Sequence, residues 1–205
     1  MIQRFFLWLI YSVIMRWTLR LVIGVKFTLA DFLVKEKQFI IVANHNSHLD
    51  TMTLLASLPS SILHKVKPVA AEDYFGNTPI KRKISNFFIN TLLISRKGSS
   101  GLHKMQEALN EGYSLILFPE GSRGEPDEEQ SIKPGIGLLL SQHPQIKYVP
   151  AYLTNMGKAM PKGDNLILPH ESSLVYGKPT LIRSENVREI LSQIEVDMKA
   201  LKPHI

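Results

Sequence analysis

Short apolar runs typical of buried strands alternate with helix-like segments from residue 38 onward, and this alternation constrains the fold more than any other feature. Strands are predicted at residues 38–44, 66–71, 91–96, 113–121 and 146–153. Helices are predicted at residues 49–58, 79–90, 101–112, 135–144 and 184–202, the last with Ser184 as its N-cap. Such alternation is typical of α/β domains. We therefore predict an α/β fold with a largely parallel sheet flanked by helices.

An apolar stretch, FFLWLIYSVIM at residues 5–15, precedes these elements and is followed by Arg16 and Arg20. A membrane span needs about 20 apolar residues, and an arginine near the bilayer centre costs about 2.5–3.5 kcal/mol. We therefore expect a helix that lies in the membrane interface, with aromatic side chains and both arginines near lipid phosphates. A buried helix and a cleaved signal peptide are the alternatives. This interpretation divides the chain into a membrane-associated helical segment, residues 1–36, and an α/β domain, residues 37–205.

The composition limits the partners and the chemistry. The chain has no cysteine, which excludes disulfides, thiolate metal sites and cysteine nucleophiles. Absence of disulfides fits a reducing compartment, so we expect a monotopic protein on the cytoplasmic face of a membrane. A net charge of +6 suits anionic partners such as phosphate head groups or acidic carriers. Nucleic acid is not expected, because we find no zinc-finger, helix-turn-helix or aromatic-basic RNA motif.

Three polar clusters follow predicted strands. They are NHNSHLD at residues 44–50, SRKGSSG at residues 95–101 and PEGSRG at residues 119–124. Ligands of open α/β sheets bind beyond the carboxyl ends of the strands. The topology alone therefore predicts that these clusters meet at one edge of the sheet.

The first cluster allows several interpretations. His45, His48 and Asp50 could bind a metal ion, although the sequence marks no further ligand at a suitable spacing. Ser47 and Asp50 have the spacing of a capping box, with Ser47 as the N-cap of the following helix. A turn ahead of that cap would let His45 fold back onto Asp50. A carboxylate on one imidazole nitrogen makes the other nitrogen a general base, which suits a reaction in which a hydroxyl attacks.

The other two clusters each present an arginine in a loop. Arg123 lies between Gly121 and Gly124, and Arg96 begins the RKGSSG sequence. The guanidinium group binds phosphate in a bidentate manner, and loop N–H groups can add to it. A plain turn with a solvated arginine is the alternative for Arg123, and a charged strand end is the alternative for Arg96.

Together these segments resemble the glycerolipid acyltransferases, the 1-acylglycerol-3-phosphate O-acyltransferase family. The family's first motif, Asn-His-x-x-x-x-Asp, matches residues 44–50, and its third, Phe-Pro-Glu-Gly-Thr-Arg with serine allowed for threonine, matches residues 118–123. Its second motif, Gly-x-x-Phe-Ile-x-Arg, appears as NTLLISR at residues 90–96. This sequence keeps Ile94 and Arg96 but has Asn90 and Leu93 in place of glycine and phenylalanine. A Val-Pro pair at residues 149–150 and a Lys-x-Gly at residues 133–135 resemble further family motifs.

The resemblance implies an acyltransferase domain and a mechanism. His45, oriented by Asp50, would take the proton from the free hydroxyl of a lysophospholipid, and the oxygen would attack the thioester of acyl-CoA or acyl-carrier protein. The glycerol phosphate would be held by five residues: Arg96, Glu120, Gly121, Ser122 and Arg123. The expected product from 1-acylglycerol-3-phosphate is phosphatidic acid. No metal, cofactor or covalent acyl-enzyme is expected, so the thioester is a co-substrate.

Four alternatives stay open at this point. The acceptor could be another lysolipid, such as lyso-ornithine lipid. The protein could be a lipid esterase or thioesterase with Ser47 as nucleophile and His45 or His48 as base, although it lacks a Gly-x-Ser-x-Gly elbow. It could be a metal-dependent hydrolase. It could also be a non-enzymatic module at a membrane surface.

Overall fold

The computed structural model describes residues 2–72, 83, 86–95, 100–124, 130–160 and 167–203. A seven-stranded sheet in the order β1-β7-β6-β2-β5-β3-β4 forms its centre. The strands are β1 (Val25–Lys26), β2 (Phe39–Ala43), β3 (Val66–Ala71), β4 (Leu92–Ile94), β5 (Ser114–Leu117), β6 (Lys147–Thr154) and β7 (Ser172–Tyr176). Every neighbouring pair is parallel except β6 and β7. The predicted α/β fold with a largely parallel sheet is confirmed, and the sequence analysis missed β1 and β7.

Six helices with defined bounds occur among the described residues, apart from the helical residues 86–89. They are α1 (Ile2–Ile23), α2 (Leu49–Ser57), α3 (Ser100–Asn110), α4 (Gly135–Gln142), α5 (Met156–Ala159) and α6 (Val187–Lys199). Two 3₁₀ turns, Asp31–Lys35 and Leu63–Lys65, lead into β2 and β3. Most of the helix predicted at residues 79–90 lies outside the described residues, and residues 86–89 are helical.

The sheet separates two apolar cores because side chains along a strand alternate between its faces. In β2, Phe39 and Ile41 face the core that also contains α1 and α2. Ile40 and Val42 face the second core, which contains α3, α4 and α6. Burial on both faces explains why β2 is a continuous apolar run in the sequence.

Helix α1 lies on the first core with one side buried and the other exposed. Leu7, Tyr11 and Leu19 are among its buried side chains. Its exposed apolar side chains are Ile2, Phe5, Trp8, Ile14, Trp17, Leu21 and Val22. By length and composition alone the helix could cross a membrane. The domain boundary after residue 36 stays a prediction.

Arg16 and Arg20 of α1 bind protein carbonyls, whereas we expected them to lie near lipid phosphates. Arg16 donates through Nε to the carbonyl of Ala56 at 2.9 Å and through Nη2 to that of Leu58 at 3.1 Å. Arg20 donates to the carbonyl of Phe27 at 2.9 Å. Carbonyls at the carboxyl end of a helix lack intrahelical partners, so the end of α2 is a favourable place for a cation. Arg16 therefore holds α1 against α2.

One predicted helix cap is wrong. The N-cap of α6 is Asn186, whose side-chain oxygen accepts the N–H of Arg188 at 2.9 Å. Ser184 instead accepts the N–H of Asn186 at 3.0 Å and donates to Glu189. Serine and asparagine both favour the N-cap position. Ser184 and Asn186 lie within three positions of each other, so the sequence pattern does not discriminate between them.

Candidate active site

Two of the three polar clusters meet beyond the carboxyl ends of β2 and β5. These strands are neighbours in parallel, with Val42 opposite Leu117, so the segments that follow them leave the sheet side by side. The third cluster cannot be placed in the same way, because Arg96 and the three residues after it lie outside the described residues. The predicted contribution of Arg96 stays a prediction.

His45 and Asp50 form the contact predicted from their spacing. His45 Nδ1 lies 2.8 Å from Asp50 Oδ2, and the Asp50 side chain is fully buried. The His45 ring remains about one-fifth exposed. Because Asp50 occupies Nδ1, the accessible His45 nitrogen is Nε2.

The same carboxylate oxygen shapes the turn that brings the two residues together. Asp50 Oδ2 also accepts the backbone N–H of Asn46 at 2.7 Å and that of Ser47 at 2.8 Å. The bond from Ser47 is the return bond of the predicted capping box. The cap itself differs from the prediction, because α2 begins at Leu49 and the hydroxyl of Ser47 accepts the Leu49 N–H at 3.3 Å.

Ser47 is poorly placed to be a nucleophile. Its side chain is fully buried, and its hydroxyl donates to the carbonyl of Met160 at 2.9 Å. The acceptor bond from Leu49 occupies the oxygen as well. A nucleophilic serine has to direct its proton to a base and expose its oxygen to the substrate. The geometry therefore speaks against the esterase alternative.

Asn44 fixes the start of the turn to the neighbouring strand. Its Nδ2 donates to the carbonyl of Leu153 at 2.9 Å, and its Oδ1 accepts the Leu153 N–H at 2.7 Å. These two hydrogen bonds extend the pairing of β2 with β6 beyond the last backbone pair, through the side chain of Asn44. They explain in structural terms why an asparagine precedes the histidine. Val149 and Pro150 of the Val-Pro motif lie in β6 opposite Ile41 and Val42.

The loop after β5 holds His45 from three directions. Glu120 Oε2 accepts the backbone N–H of His45 at 3.1 Å, and Gly124 N–H donates to the His45 carbonyl at 2.9 Å. The Phe118 ring stacks on the imidazole with the ring centres 4.0 Å apart and the planes 18° apart. These contacts immobilise the backbone and the ring of a residue 75 positions away in the chain. The sequence analysis missed the contact with Phe118 and did not foresee that Glu120 binds His45.

Gly121 is favoured by its backbone conformation, and the end of the Lys133 side chain lies close to it. Its φ is +75°, which side-chain-bearing residues rarely adopt, and an added Cβ would lie 2.5 Å from Lys133 Nζ. Lys133 also donates its backbone N–H to the carbonyl of Pro119 at 2.9 Å. Its ammonium group therefore lies directly over the loop. The sequence analysis noted Lys133 only as part of the Lys-x-Gly pattern.

The remaining residues of the loop carry polar groups beside the imidazole. Ser122 is exposed and Arg123 is half-buried. Burial lowers the pKa of His48, the neighbouring Arg123 and His45 lower it further, and Asp50 acts in the opposite direction. The protonated form of His48 is thus disfavoured next to Arg123.

Glu120 is a buried carboxyl with an altered pKa. Burial raises the pKa of Glu120 to about 7, and the negative charge of Asp50 acts in the same direction. The hydrogen bond from the His45 N–H lowers the pKa and only partly offsets these effects. Glu120 therefore titrates near neutral pH.

Histidine, aspartate and glutamate side chains do not gather in threes at any point of the described ranges, so no metal-ion site is found there. His45 and Asp50 are joined to each other, and Glu120 binds a backbone N–H. This arrangement suits proton transfer at the free imidazole nitrogen, next to a loop that carries Arg123 and Lys133.

Comparisons with known proteins find similar sequences and a similar fold. A family model described as Acyltransferase matches residues 24–154. The protein named 1-acyl-sn-glycerol-3-phosphate acyltransferase LPAT1, chloroplastic, of Arabidopsis thaliana is 32% identical over 137 residues, or 63% of this chain and 35% of that protein. The protein named 1-acyl-sn-glycerol-3-phosphate acyltransferase BAT2, chloroplastic, of Brassica napus is 30% identical over 146 residues. These residues make up 67% of this chain and 39% of that protein. The matched part thus spans well under half of these plant relatives.

A solved structure has the same fold. The crystal structure of the 1-acyl-sn-glycerophosphate (LPA) acyltransferase PlsC from Thermotoga maritima matches with a TM-score of 0.67. The match covers 86% of this chain and 69% of that chain at 23% sequence identity. At this level of identity the similarity concerns the fold.

The raised pKa of Glu120 predicts how the stability of the folded protein depends on pH. Because the pKa is raised from 4.5 to about 7, the folded protein holds a proton in this window that the unfolded chain releases. The stability contributed by Glu120 is therefore fully present below the lower value and decreases as the pH rises through the window. Glu120→Gln keeps an acceptor for the His45 N–H but cannot ionise. We expect the free energy of unfolding of this variant to increase relative to wild type from about pH 5 to about pH 8.

Urea unfolding in detergent at a series of pH values measures this difference. Glu185→Gln, which alters an exposed carboxyl, is the matched control and should leave the difference from wild type constant. If the free energies of unfolding of Glu120→Gln and wild type changed with pH in the same way, the pKa of Glu120 would not be raised in the folded protein.

Proposed function

The chain belongs to the acyltransferase family, and from this premise we propose that it transfers a fatty acyl group from an acyl thioester to the free hydroxyl of 1-acylglycerol-3-phosphate, giving phosphatidic acid. The observation that carries the proposal is the His45–Asp50 pair, held rigidly against a loop that presents cationic side chains. A base next to cations suits an acceptor that has both a hydroxyl and a phosphate. The names of the plant relatives support the same acceptor.

The proposed reaction uses His45 first as a base and then as an acid. Asp50 accepts the Nδ1 proton, so Nε2 has a free lone pair and takes the proton from the attacking hydroxyl. The oxygen forms a bond to the thioester carbon, giving a tetrahedral intermediate. When this intermediate collapses, the C–S bond breaks, and the imidazolium returns the proton to the thiolate. The products are the new ester and a free thiol, and the enzyme is unchanged.

The proposed acceptor site lies on the loop after β5. Arg123 and Arg96 would neutralise the glycerol phosphate, with Glu120, Gly121 and Ser122 completing the contacts. Gly121 leaves the loop without a side chain at the point where Lys133 crosses it. A cationic loop of this kind stabilises a dianionic phosphate through charge-assisted hydrogen bonds. The donor can be acyl-CoA or acyl-carrier protein, since both supply the same thioester.

Helix α1 would attach the protein to the membrane that supplies the acceptor. Its exposed apolar side chains, among them Trp8 and Trp17, lie opposite the buried side that packs on the core. Amphipathic helices with interfacial tryptophans lie in the plane of the membrane surface. We place this contact at the cytoplasmic face, where acyl thioesters occur.

Acyl transfer in detergent micelles tests the proposal. Purified protein receives lysophosphatidic acid and acyl-CoA, and thiol release and phosphatidic acid are followed together. Wild type should form both in equal amounts, without metal ions and in the presence of a chelator. His45→Ala should reduce the rate by about 10²- to 10⁴-fold, because the general base is lost.

Two control variants identify the base and exclude a serine nucleophile. His103→Ala removes an exposed histidine of α3 and should leave the rate unchanged. Ser47→Ala should keep most of the activity. Thiol release without phosphatidic acid, with loss of thiol release in Ser47→Ala, would identify a thioesterase instead. Formation of no phosphatidic acid with either acyl-CoA or acyl-carrier protein would contradict the proposed acceptor, and lyso-ornithine lipid would then be the next acceptor to supply.

The role of Arg123 gives a second prediction. Arg123→Ala should raise the KM for lysophosphatidic acid about 10- to 100-fold, because a hydrogen bond between charged groups contributes about 1.5–3 kcal/mol. The rate with monoacylglycerol, which lacks the phosphate, should change little. Steady-state kinetics with both acceptors measures this discrimination. Arg188→Ala removes an exposed arginine from α6 and is the matched control. An equal loss with both acceptors would contradict a phosphate contact.

A further inference from the structure

A second polar pocket lies far from His45, between the first turn of α1 and the turn that follows α2. The cavity has a volume of about 280 Å³, and its lining includes Arg4, Ser60, Ser61 and His64 together with Phe5 and Trp8. The Leu63–Lys65 turn leads directly into the amino end of β3. His45 follows the carboxyl end of β2, and both strands run parallel to β5. The pocket and His45 are therefore at opposite edges of the sheet, roughly 15–20 Å apart along the strands.

The polar groups of this pocket are hydrogen-bond donors without partners in the described part of the chain. Ser60 and Ser61 occupy the centre of a turn closed by the bond from Ile62 N–H to the carbonyl of Pro59, at 3.1 Å. Their hydroxyls and backbone N–H groups make no hydrogen bond to another described residue, and the Arg4 guanidinium has no ion pair there. Exposed turn N–H groups, two hydroxyls and a guanidinium are a suitable set of donors for the oxygens of a phosphate.

The charge around the pocket is positive. Burial lowers the pKa of His64, and the nearby charges of Arg4 and Lys65 lower it further. Both charged groups that act on His64 are thus cations. A bound anion would be stabilised by the same groups that disfavour the imidazolium.

The apolar part of the lining connects the pocket to the exposed side of α1. Phe5 is 55% exposed and Trp8 is 43% exposed, and Ile2 extends the same surface. A set of phosphate-binding groups beside exposed aromatic and aliphatic side chains matches the order of a lipid leaflet, in which phosphates lie next to acyl chains.

We propose that this pocket binds the phosphate of an anionic membrane phospholipid, with Arg4, Ser60 and Ser61 as its ligands and Phe5 and Trp8 in contact with the adjoining acyl chain. The site goes beyond the proposed acyl transfer, because it lies at the other edge of the sheet and its lipid does not react. It fixes the orientation of α1 on the membrane and makes binding depend on the charge of the leaflet.

Binding to vesicles tests the site independently of catalysis. Full-length protein is mixed with vesicles of phosphatidylcholine alone or of phosphatidylcholine with phosphatidylglycerol, and bound protein is sedimented. Arg4→Gln should weaken binding to the anionic vesicles about fivefold, the loss typical of one basic residue at a membrane surface. Ser60→Ala combined with Ser61→Ala should weaken it at least about fivefold without any change of charge, because two donors to a charged oxygen are lost. Binding to phosphatidylcholine alone should change less than twofold in each case, because the choline cation beside its phosphate is repelled by Arg4 and Lys65.

Arg183→Gln provides a charge-matched control. Arg183 is exposed and adjoins Ile182, which packs in the second core on the other face of the sheet. The pocket lies on the first core, to which Leu7 and Leu63 of its lining belong, so the sheet separates it from Arg183 and this variant should bind like wild type. All variants should keep wild-type acyl transfer in detergent micelles, which separates a failure of this site from a failure of the proposed function.

Three results would overturn the proposal. Wild-type binding of Arg4→Gln would show that the pocket does not contact lipid. Wild-type binding of the serine double variant, or equal losses in Arg4→Gln and Arg183→Gln, would show that the attraction comes from diffuse charge. Displacement from anionic vesicles by inorganic phosphate, but not by chloride at the same ionic strength, would show that the pocket takes free phosphate.

Discussion

The structure of the site depends on one buried carboxylate oxygen. Asp50 Oδ2 accepts hydrogen bonds from His45 Nδ1 and from the backbone N–H groups of Asn46 and Ser47. Each of these donors would be costly to leave unpaired in a buried place. The same bonds that close the turn before α2 therefore also orient the imidazole. Fold and chemistry share these contacts, so loss of the acceptor oxygen at Asp50 would disturb both the turn and the histidine.

The parallel pairing of β2 with β5 supplies the rest of the site. It places the loop after β5 against His45, where Glu120 and Gly124 bind its backbone and Phe118 covers its ring. The loop thus has two tasks: it fixes the base, and it carries the cations proposed to bind the acceptor phosphate. Glu120 was expected to bind substrate, and its contact with His45 gives it a positioning task as well.

The sequence predicts those parts of the molecule that depend on local pattern. Strand β2 is recognisable because it is buried on both faces, and the His45–Asp50 contact follows from a capping-box spacing. Strands β1 and β7 are missed, because β1 has two residues and β7, which pairs antiparallel with β6, is only partly buried. The bonds from Glu120 to His45 and from Arg16 to the end of α2 depend on the path of distant segments, which no local pattern contains. The structure therefore adds most to the sequence-based prediction at contacts between a side chain and a distant backbone group.

The most direct test of this account is the turnover number of Asp50→Asn with lysophosphatidic acid and acyl-CoA. An asparagine is nearly the same size and keeps an acceptor oxygen, but it has no negative charge to support an imidazolium. The account predicts that kcat falls by about 10²- to 10⁴-fold while the KM for the acceptor changes little. A kcat within about twofold of wild type in a folded variant would contradict it, because His45 would then act without the carboxylate on which the site is built.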